Sequence, residues 1–262
     1  MPYRVDIRHP LPGALDALIE FGALDVDVAT DGALAAIVPD DLTLERLVPL
    51  VGEVSASAAV GRDDGSVWVL TPRATRIGRL QLVPADAPLD GDTIRLADGP
   101  AFGTGLHPTT ALCVEILQDL VDDATIDSML DVGTGSGILA LAALRLGVAR
   151  ATGLDIEAAA LAVATENARL NGLEDRFALV AGDASAVDGR WPLVMANVLA
   201  APLIEMAPVL AQRVAHGGVL VLSGITDGLA VDVDRAYRRV GMYSALTRVR
   251  DGWVALEHRP TW

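Results

Sequence analysis

The stretch that most constrains this chain is Asp131-Val132-Gly133-Thr134-Gly135-Ser136-Gly137. The apolar run Ser128-Met129-Leu130 leads into it, and the helical pattern Ile138 to Leu144 leaves it. Three glycines between a strand and a helix form a tight turn whose bare backbone lets a ligand come close. The next strand, Ala151 to Asp155, ends in a carboxylate suited to a pair of ribose hydroxyls. The expected ligand is therefore a nucleoside. Dinucleotide sites set a pyrophosphate on the helix N-terminus and usually read Gly-x-Gly-x-x-Gly. Here the third glycine follows the second by two residues, which favours S-adenosylmethionine, a nucleoside cofactor with no phosphate to cradle.

Composition narrows the classes further. A chain of 262 residues suffices for one or two domains, and 52% hydrophobic residues supply a sizeable core. No apolar run reaches the ~18 residues of a membrane span. No secretory leader is expected, because the N-terminus alternates polar and apolar from residue 3 without a basic start. The single cysteine, Cys113, forms no internal disulfide, which fits a reducing cytoplasm. Its setting in Ala111-Leu112-Cys113-Val114 points to a small buried side chain, and one cysteine excludes a cysteine-cluster zinc site. No metal site is expected. All 20 residues of the Lys+Arg total are arginine. Without lysine there is no Walker A site, no Schiff base and no Tyr-x-x-x-Lys dehydrogenase pair. A net charge of −15 repels nucleic acid, and Arg73, Arg76 and Arg79 read as a solvated connector. Residues 1–61 carry ten acidic residues against three arginines. That density either attracts a basic macromolecular partner or serves solubility.

The pattern divides the chain into 1–61, 62–99 and 100–262. The first segment reads βαββαβ, the ferredoxin-like order. Its strands fall at Tyr3 to Arg8, Leu24 to Ala29, Leu34 to Val38 and Val54 to Val60. Its helices run from Gly13 to Phe21, with Leu15, Leu18 and Ile19 on one face, and from Leu42 to Leu50, with Leu44, Leu47 and Val48 apolar. Asp31-Gly32 marks a hairpin. The second segment, rich in Asp, Gly and Pro, reads as a linker with a small β appendage at Ser66–Leu70, Leu80–Val83 and Thr93–Leu96. From residue 100, strands at 129–133, 150–156, 177–183, 192–198 and 217–223 alternate with helices near 108–121, 137–146, 158–171, 202–213 and 228–240. This predicts a doubly wound α/β sheet. Tyr243 to Arg250 and Trp253 to His258 break the alternation as a hairpin about Asp251-Gly252. A parallel sheet that ends in an antiparallel hairpin is the class I methyltransferase arrangement, which again favours S-adenosylmethionine over NAD.

Two more segments carry chemistry. In Ala101-Phe102-Gly103-Thr104-Gly105-Leu106-His107-Pro108-Thr109-Thr110, either threonine 109 or 110 caps the next helix, or the loop folds over the cofactor and offers hydroxyls to its methionine end. His107 before proline reads as structural. In Val194-Met195-Ala196-Asn197-Val198-Leu199, a lone amide sits at the end of an apolar strand, where open α/β sheets bind ligands. Asn197 either caps the next helix or accepts hydrogen bonds from an amine and aims its lone pair. Asp183, ending the third strand, is positioned for the adenine amine, with Phe102 and Thr104 closing over the ligand.

The segments Ala-Phe-Gly-Thr-Gly-Leu-His-Pro-Thr-Thr, Asp-Val-Gly-Thr-Gly-Ser-Gly-Ile-Leu-Ala, Leu-Asp-Ile, Ala-Asn-Val-Leu-Ala-Ala-Pro-Leu and Leu-Ser-Gly-Ile occur here in order. Over residues 98–262 they resemble the ribosomal protein L11 methyltransferase family. The resemblance implies transfer of methyl groups from S-adenosylmethionine to lysine and N-terminal amines of ribosomal protein L11. It implies cofactor contacts by Thr110, Gly133, Asp155 and Asn197, and a ferredoxin-like N-terminal domain that docks the substrate protein. Gly135 and Gly137 complete the close approach to the cofactor, and Asn197 is the expected catalytic residue. A monomer is expected. The family usually has a longer, Trp-containing helical linker, whereas Arg62 to Arg79 is short and holds only Trp68. A related family methylates lysines of the electron-transfer flavoprotein β-subunit, so the catalytic fold leaves the target protein open. An NAD-linked oxidoreductase and a non-catalytic binding module that keeps the cofactor fold are further alternatives.

Overall fold

The first 59 residues alternate strands and helices as β1 (Tyr3–Ile7), α1 (Ala14–Glu20), β2 (Asp25–Val28), β3 (Leu34–Val38), α2 (Leu44–Val51) and β4 (Ser55–Ala58). The computed structural model describes residues 2–29, 31–59, 68, 70, 74–97 and 108–262. The first sheet has the order β2-β3-β1-β4 with every neighbour antiparallel, which is the ferredoxin-like arrangement. Period-2 alternation buries Val5 and Ile7 of β1 under Leu18, Leu47 and Val51. The expected helix faces are wider than the real ones. Leu15 and Ile19 of α1 and Leu44 and Val48 of α2 are exposed. A two-turn helix on a four-stranded sheet covers one i, i+4 stripe, here Ala14 with Leu18 and Leu47 with Val51.

A second sheet joins β5 (Thr75–Ile77), β6 (Leu80–Pro84) and β7 (Thr93–Leu96). β6 and β7 match the expected segments, but β5 forms on the stretch read as a solvated connector. Arg79 is pinned there: its backbone N–H donates to Gln118 Oε1 at 2.8 Å and its guanidinium meets Asp122 at 2.8 Å. Both partners lie on α3 (Pro108–Asp123). Ile77, Leu80, Leu82, Ile94 and Leu96 share one apolar core with α3, α4 (Ile138–Arg145) and α5 (Ala158–Leu170). Arg73 and most of the Ser66–Leu70 segment lie outside the described residues.

The main sheet contains β8 (Ser128–Val132), β9 (Arg150–Asp155), β10 (Phe177–Ala181), β11 (Trp191–Asn197), β12 (Val214–Thr226), β13 (Met242–Arg250) and β14 (Trp253–Pro260). Their order is β10-β9-β8-β11-β12-β14-β13. The first five are parallel, and β14 enters antiparallel between β12 and β13. This is the class I methyltransferase sheet, as the terminal hairpin predicted. Asp251 and Gly252 both have positive φ, at 50° and 77°, which matches the twist of a two-residue hairpin turn.

Helices cover both faces, so the strands read as nearly continuous apolar runs. Leu193, Met195, Val219 and Val221 face α3, α4 and α5. Val194, Ala196, Leu220 and Leu222 face α6 (Ala200–Arg213) and α7 (Ala230–Arg239). Tyr237 of α7, fully buried, donates to the Leu203 carbonyl of α6 at 2.9 Å and stacks beside His258 of β14.

Candidate functional site at the switch point of the sheet

β8 lies between β9 and β11, and the winding direction reverses there. Open α/β sheets bind ligands in the crevice outside the C-terminal strand ends at this reversal. The Gly-rich turn follows β8, Asp155 ends β9, and Asn197 ends β11. Residues far apart in sequence thus converge on one crevice.

Gly133, Gly135 and Gly137 all have positive φ, at 70°, 55° and 81°, a backbone that side chains disfavour. Space excludes a side chain as well. A Cβ on Gly137 would fall 2.8 Å from Phe177 Cε1. The turn is held from beneath: the Thr134 N–H donates to the Leu154 carbonyl at 2.8 Å, and its hydroxyl donates to Asp131 Oδ2 at 2.7 Å. Asp131 is fully buried, and that burial pushes its carboxyl up to about 6.

Asp155 is half-buried and already organised. Its Oδ2 accepts the Gly135 N–H at 2.9 Å, and its Oδ1 accepts the Glu157 N–H at 3.0 Å. The carboxylate therefore joins the end of β9 to the glycine turn. The Gly182 N–H donates to the Asp155 carbonyl at 2.8 Å, which brings the end of β10 alongside. Asp183, one residue on, is exposed and accepts the Ser185 N–H and hydroxyl. Those bonds hold its carboxyl below the usual range, so it stays an ionised acceptor.

Asn197 does not cap the next helix. The cap position of α6 is Leu199, and no side chain bonds to it. Asn197 Oδ1 is buried and has no hydrogen-bond partner among the described residues. A buried amide oxygen left unpaired costs about 1–3 kcal/mol, so this oxygen calls for a donor. The cap reading of the threonines fails too. α3 begins at Pro108, which puts both inside the first turn, fully buried. Thr110 Oγ1 is another buried oxygen with no partner among the described residues. Phe102, Thr104 and His107 lie outside the described residues. Cys113 is buried, as expected, and burial pushes its thiol up to about 12. Among the described residues, no cluster of three or more His, Cys, Asp or Glu is arranged to hold a metal.

Two residues of the site went unread in the sequence. Asn167 of α5 is fully buried; its Nδ2 donates to the Ser136 carbonyl at 2.8 Å and its Oδ1 accepts the Ala97 N–H at 2.7 Å. One turn later, Asn171 accepts the Arg95 N–H at 2.9 Å and donates to the Arg95 carbonyl at 2.8 Å. The pair ties β7 to the glycine turn. The available signal was two amides at i, i+4 in an alanine-rich helix, where solvent-facing residues would more usually be Glu or Lys.

Comparison with known proteins agrees with this geometry. The family model described as ribosomal protein L11 methyltransferase (PrmA) matches residues 72–261. A ribosomal protein L11 methyltransferase from Chromohalobacter salexigens is 43% identical over 208 residues, covering 78% of this chain and 69% of that protein. One from Pelobacter propionicus is 39% identical over 211 residues, with coverage of 78% and 68%. The crystal structure of a ribosomal protein L11 methylase from Lactobacillus delbrueckii subsp. bulgaricus is similar with a TM-score of 0.65 at 31% identity. It covers 72% of this chain and 99% of that one. The matched segment spans 69% and 68% of the two named relatives. A family match over most of the chain, with relatives about 40% identical and a similar solved structure, places the protein: it belongs to the ribosomal protein L11 methyltransferase family.

Proposed function

We propose that the protein transfers methyl groups from S-adenosylmethionine to lysine side-chain and N-terminal amines of ribosomal protein L11. The observation that carries this reading is the buried Asn197 Oδ1 at the switch point, without a hydrogen-bond partner among the described residues, close to a turn with three positive-φ glycines. The residues fit the cofactor. Among the described residues the Thr110 and Asn197 oxygens are buried without partners, the turn carries three positive-φ glycines, and carboxylates stand at Asp155, which ends β9, and at Asp183, two residues past the end of β10. Asp155 would hold the ribose hydroxyls and Asp183 the adenine amine. Gly133, Gly135 and Gly137 would admit the methionine and ribose, and Thr110 Oγ1 would bond the methionine end.

When bound, the cofactor supplies a sulfonium methyl group whose leaving group is a neutral thioether. The protein therefore needs little acid-base machinery. Its task is to present an uncharged amine in line with that methyl. Lysine's reference pKa is ~10.4, and partial desolvation at the crevice disfavours the ammonium form. Asn197 Oδ1 accepts a hydrogen bond from the neutral amine, which turns the lone pair toward the electrophile. Positioning of this kind supplies most of the acceleration.

Residues 1–61 would serve as the substrate-recognition domain, 62–99 as linker and β appendage, and 100–262 as the methyltransferase domain. The acidic excess of the first segment supports a basic protein partner rather than nucleic acid. A cytoplasmic monomer fits the lone buried cysteine, and no helix among the described residues is long and apolar enough to cross a membrane. An NAD-linked dehydrogenase is disfavoured by the antiparallel β14 and by family membership.

The test is incubation with labelled S-adenosylmethionine and the L11 of its own host, followed by intact-mass analysis. Mass gains in one-methyl steps on L11 are the expected result and count the sites. Cofactor binding with L11 left unmodified would overturn the substrate assignment; a pull-down with the whole chain, including a trial of electron-transfer flavoprotein β-subunit, would then seek the target.

A further inference from the structure

Asn197 is the last residue of β11, and a strand end is free to fray unless something fixes it. The next residue, Val198, is held on two sides by glycines from different strands. The first is Gly133, which opens the cofactor turn after β8. A Cβ on Gly133 would lie 2.4 Å from Val198 Cγ1, so the valine methyl fills the place where a side chain would be. The second is Gly224 in β12. A Cβ there would lie 2.3 Å from the Val198 carbonyl oxygen and 3.0 Å from its nitrogen. The backbone of Val198 thus sits directly on the bare Cα of Gly224.

The approach at Gly224 has a local cause. β11 and β12 run parallel in register through Asn197 opposite Ser223. On the other side of β12, pairing to β14 slips between Leu222 and Ile225. The bulge at Ser223 and Gly224 gives Gly224 a φ of 85° and turns its bare side toward β11. Ser223, fully buried, is anchored by its hydroxyl to the Val254 carbonyl at 3.1 Å, which holds the bulge from beneath.

We propose that Val198 is a positioning residue for methyl transfer. It is clamped between Gly133 and Gly224 and sets Asn197 at a fixed distance from the cofactor turn. This inference rests on the reading of Asn197 as the amine-orienting group. Val198 touches neither substrate nor cofactor in this role and acts through its neighbour. Because its methyl lies on Gly133 itself, movement of the glycine turn is passed to Asn197 by direct contact. Losing that methyl leaves a gap at Gly133 and lets the strand end shift, and a displacement of about 1 Å can lower a rate about 100-fold.

The experiment compares V198A, V198T, N197A and the V198A/N197A double variant in the full chain. V198T keeps the branched shape and the atom over Gly133. Three readouts are taken: the cofactor dissociation constant, the single-turnover rate on L11 at saturating cofactor, and the Asn197 side-chain amide resonances of the cofactor-bound protein. For V198A the expected rate loss is about 10- to 100-fold, with cofactor affinity within about 3-fold. V198T should return to within about 3-fold of wild type. The double variant should be no slower than N197A alone, because both changes remove one positioning function. Wild-type protein should show one sharp pair of Asn197 amide lines, and V198A should show broadened or multiple pairs.

A V198A rate within twofold of wild type overturns the inference, as do losses that multiply in the double variant. A single sharp Asn197 amide pair in V198A overturns it as well, and that readout needs no L11. Failure of the wild-type protein to methylate L11 overturns the proposed function instead, while the amide comparison still decides the clamp. Should V198A fail to fold, V198G and V198S enter the same comparison under the same criteria.

Discussion

Asn197, half-buried with its Oδ1 covered, and Asp131, fully buried, both lie near the glycine turn, and they make opposite demands. The Asn197 oxygen has no partner among the described residues, so its removal should cost little stability and much activity. For Asn197→Ala we expect the single-turnover rate on L11 to fall about 100- to 1,000-fold, with cofactor affinity changed less than about 5-fold. Single-turnover kinetics and calorimetry check both halves. Asp131 is a structural carboxyl whose burial raises it from 3.8 to about 6. Between those values the folded chain keeps a proton that the unfolded chain has released, so stability falls as pH rises from about 4 to 6. Above that window the folded state carries a buried ionised carboxylate at a cost of about 3 kcal/mol. Asp131→Asn should therefore flatten this pH dependence and gain stability relative to wild type at pH 7, as read by urea melts across the range.

The elements are joined by polar pins whose partners lie far apart in the chain. Asn167 of α5 reaches a carbonyl 31 residues before it and an N–H 70 residues before it. Asn167→Ala would strand both backbone groups in the interior. We expect a loss of about 2–4 kcal/mol in denaturant melts, with weakened cofactor binding because the glycine turn loses its brace. α7 shows a milder case. Tyr237→Phe removes the hydroxyl bonded to the Leu203 carbonyl, which also serves a helical turn, so about 1 kcal/mol is expected from the same measurement. Strands and most helices of the main sheet were legible because burial on both faces writes long apolar runs into them. β5 was missed because its three residues, Thr75–Ile77, gain their stability from α3 and β6 rather than from local pattern.

At the scale of the whole molecule, charge and topology divide the work. The net charge of −15 includes ten acidic residues among the first 61. A basic substrate protein would be drawn by that field, which salt screens over about 10 Å at 0.1 M. Raising salt from 50 to 300 mM should raise KM for L11 about 3- to 10-fold and leave cofactor affinity nearly constant. A KM for L11 insensitive to salt would show that docking rests on apolar contacts instead, such as the exposed Leu15, Ile19, Leu44 and Val48 of the first two helices.

The fold class and the candidate site residues could be read in advance because both readings rest on local physics. Side-chain periodicity reveals which faces are buried, and glycine at a strand-to-helix turn reveals where a backbone must bend and stay bare. Gly133, Asp155 and Asn197 were visible for that reason. Their meeting in one crevice follows from the winding reversal between β8 and β11, which no single segment encodes. The Thr110 and Asn197 oxygens left without partners among the described residues, the Asn167 brace and the grip of Gly133 and Gly224 on Val198 depend on how segments distant in the chain pack. Such contacts leave no periodic trace, because packing in three dimensions chooses the partner after the elements have formed.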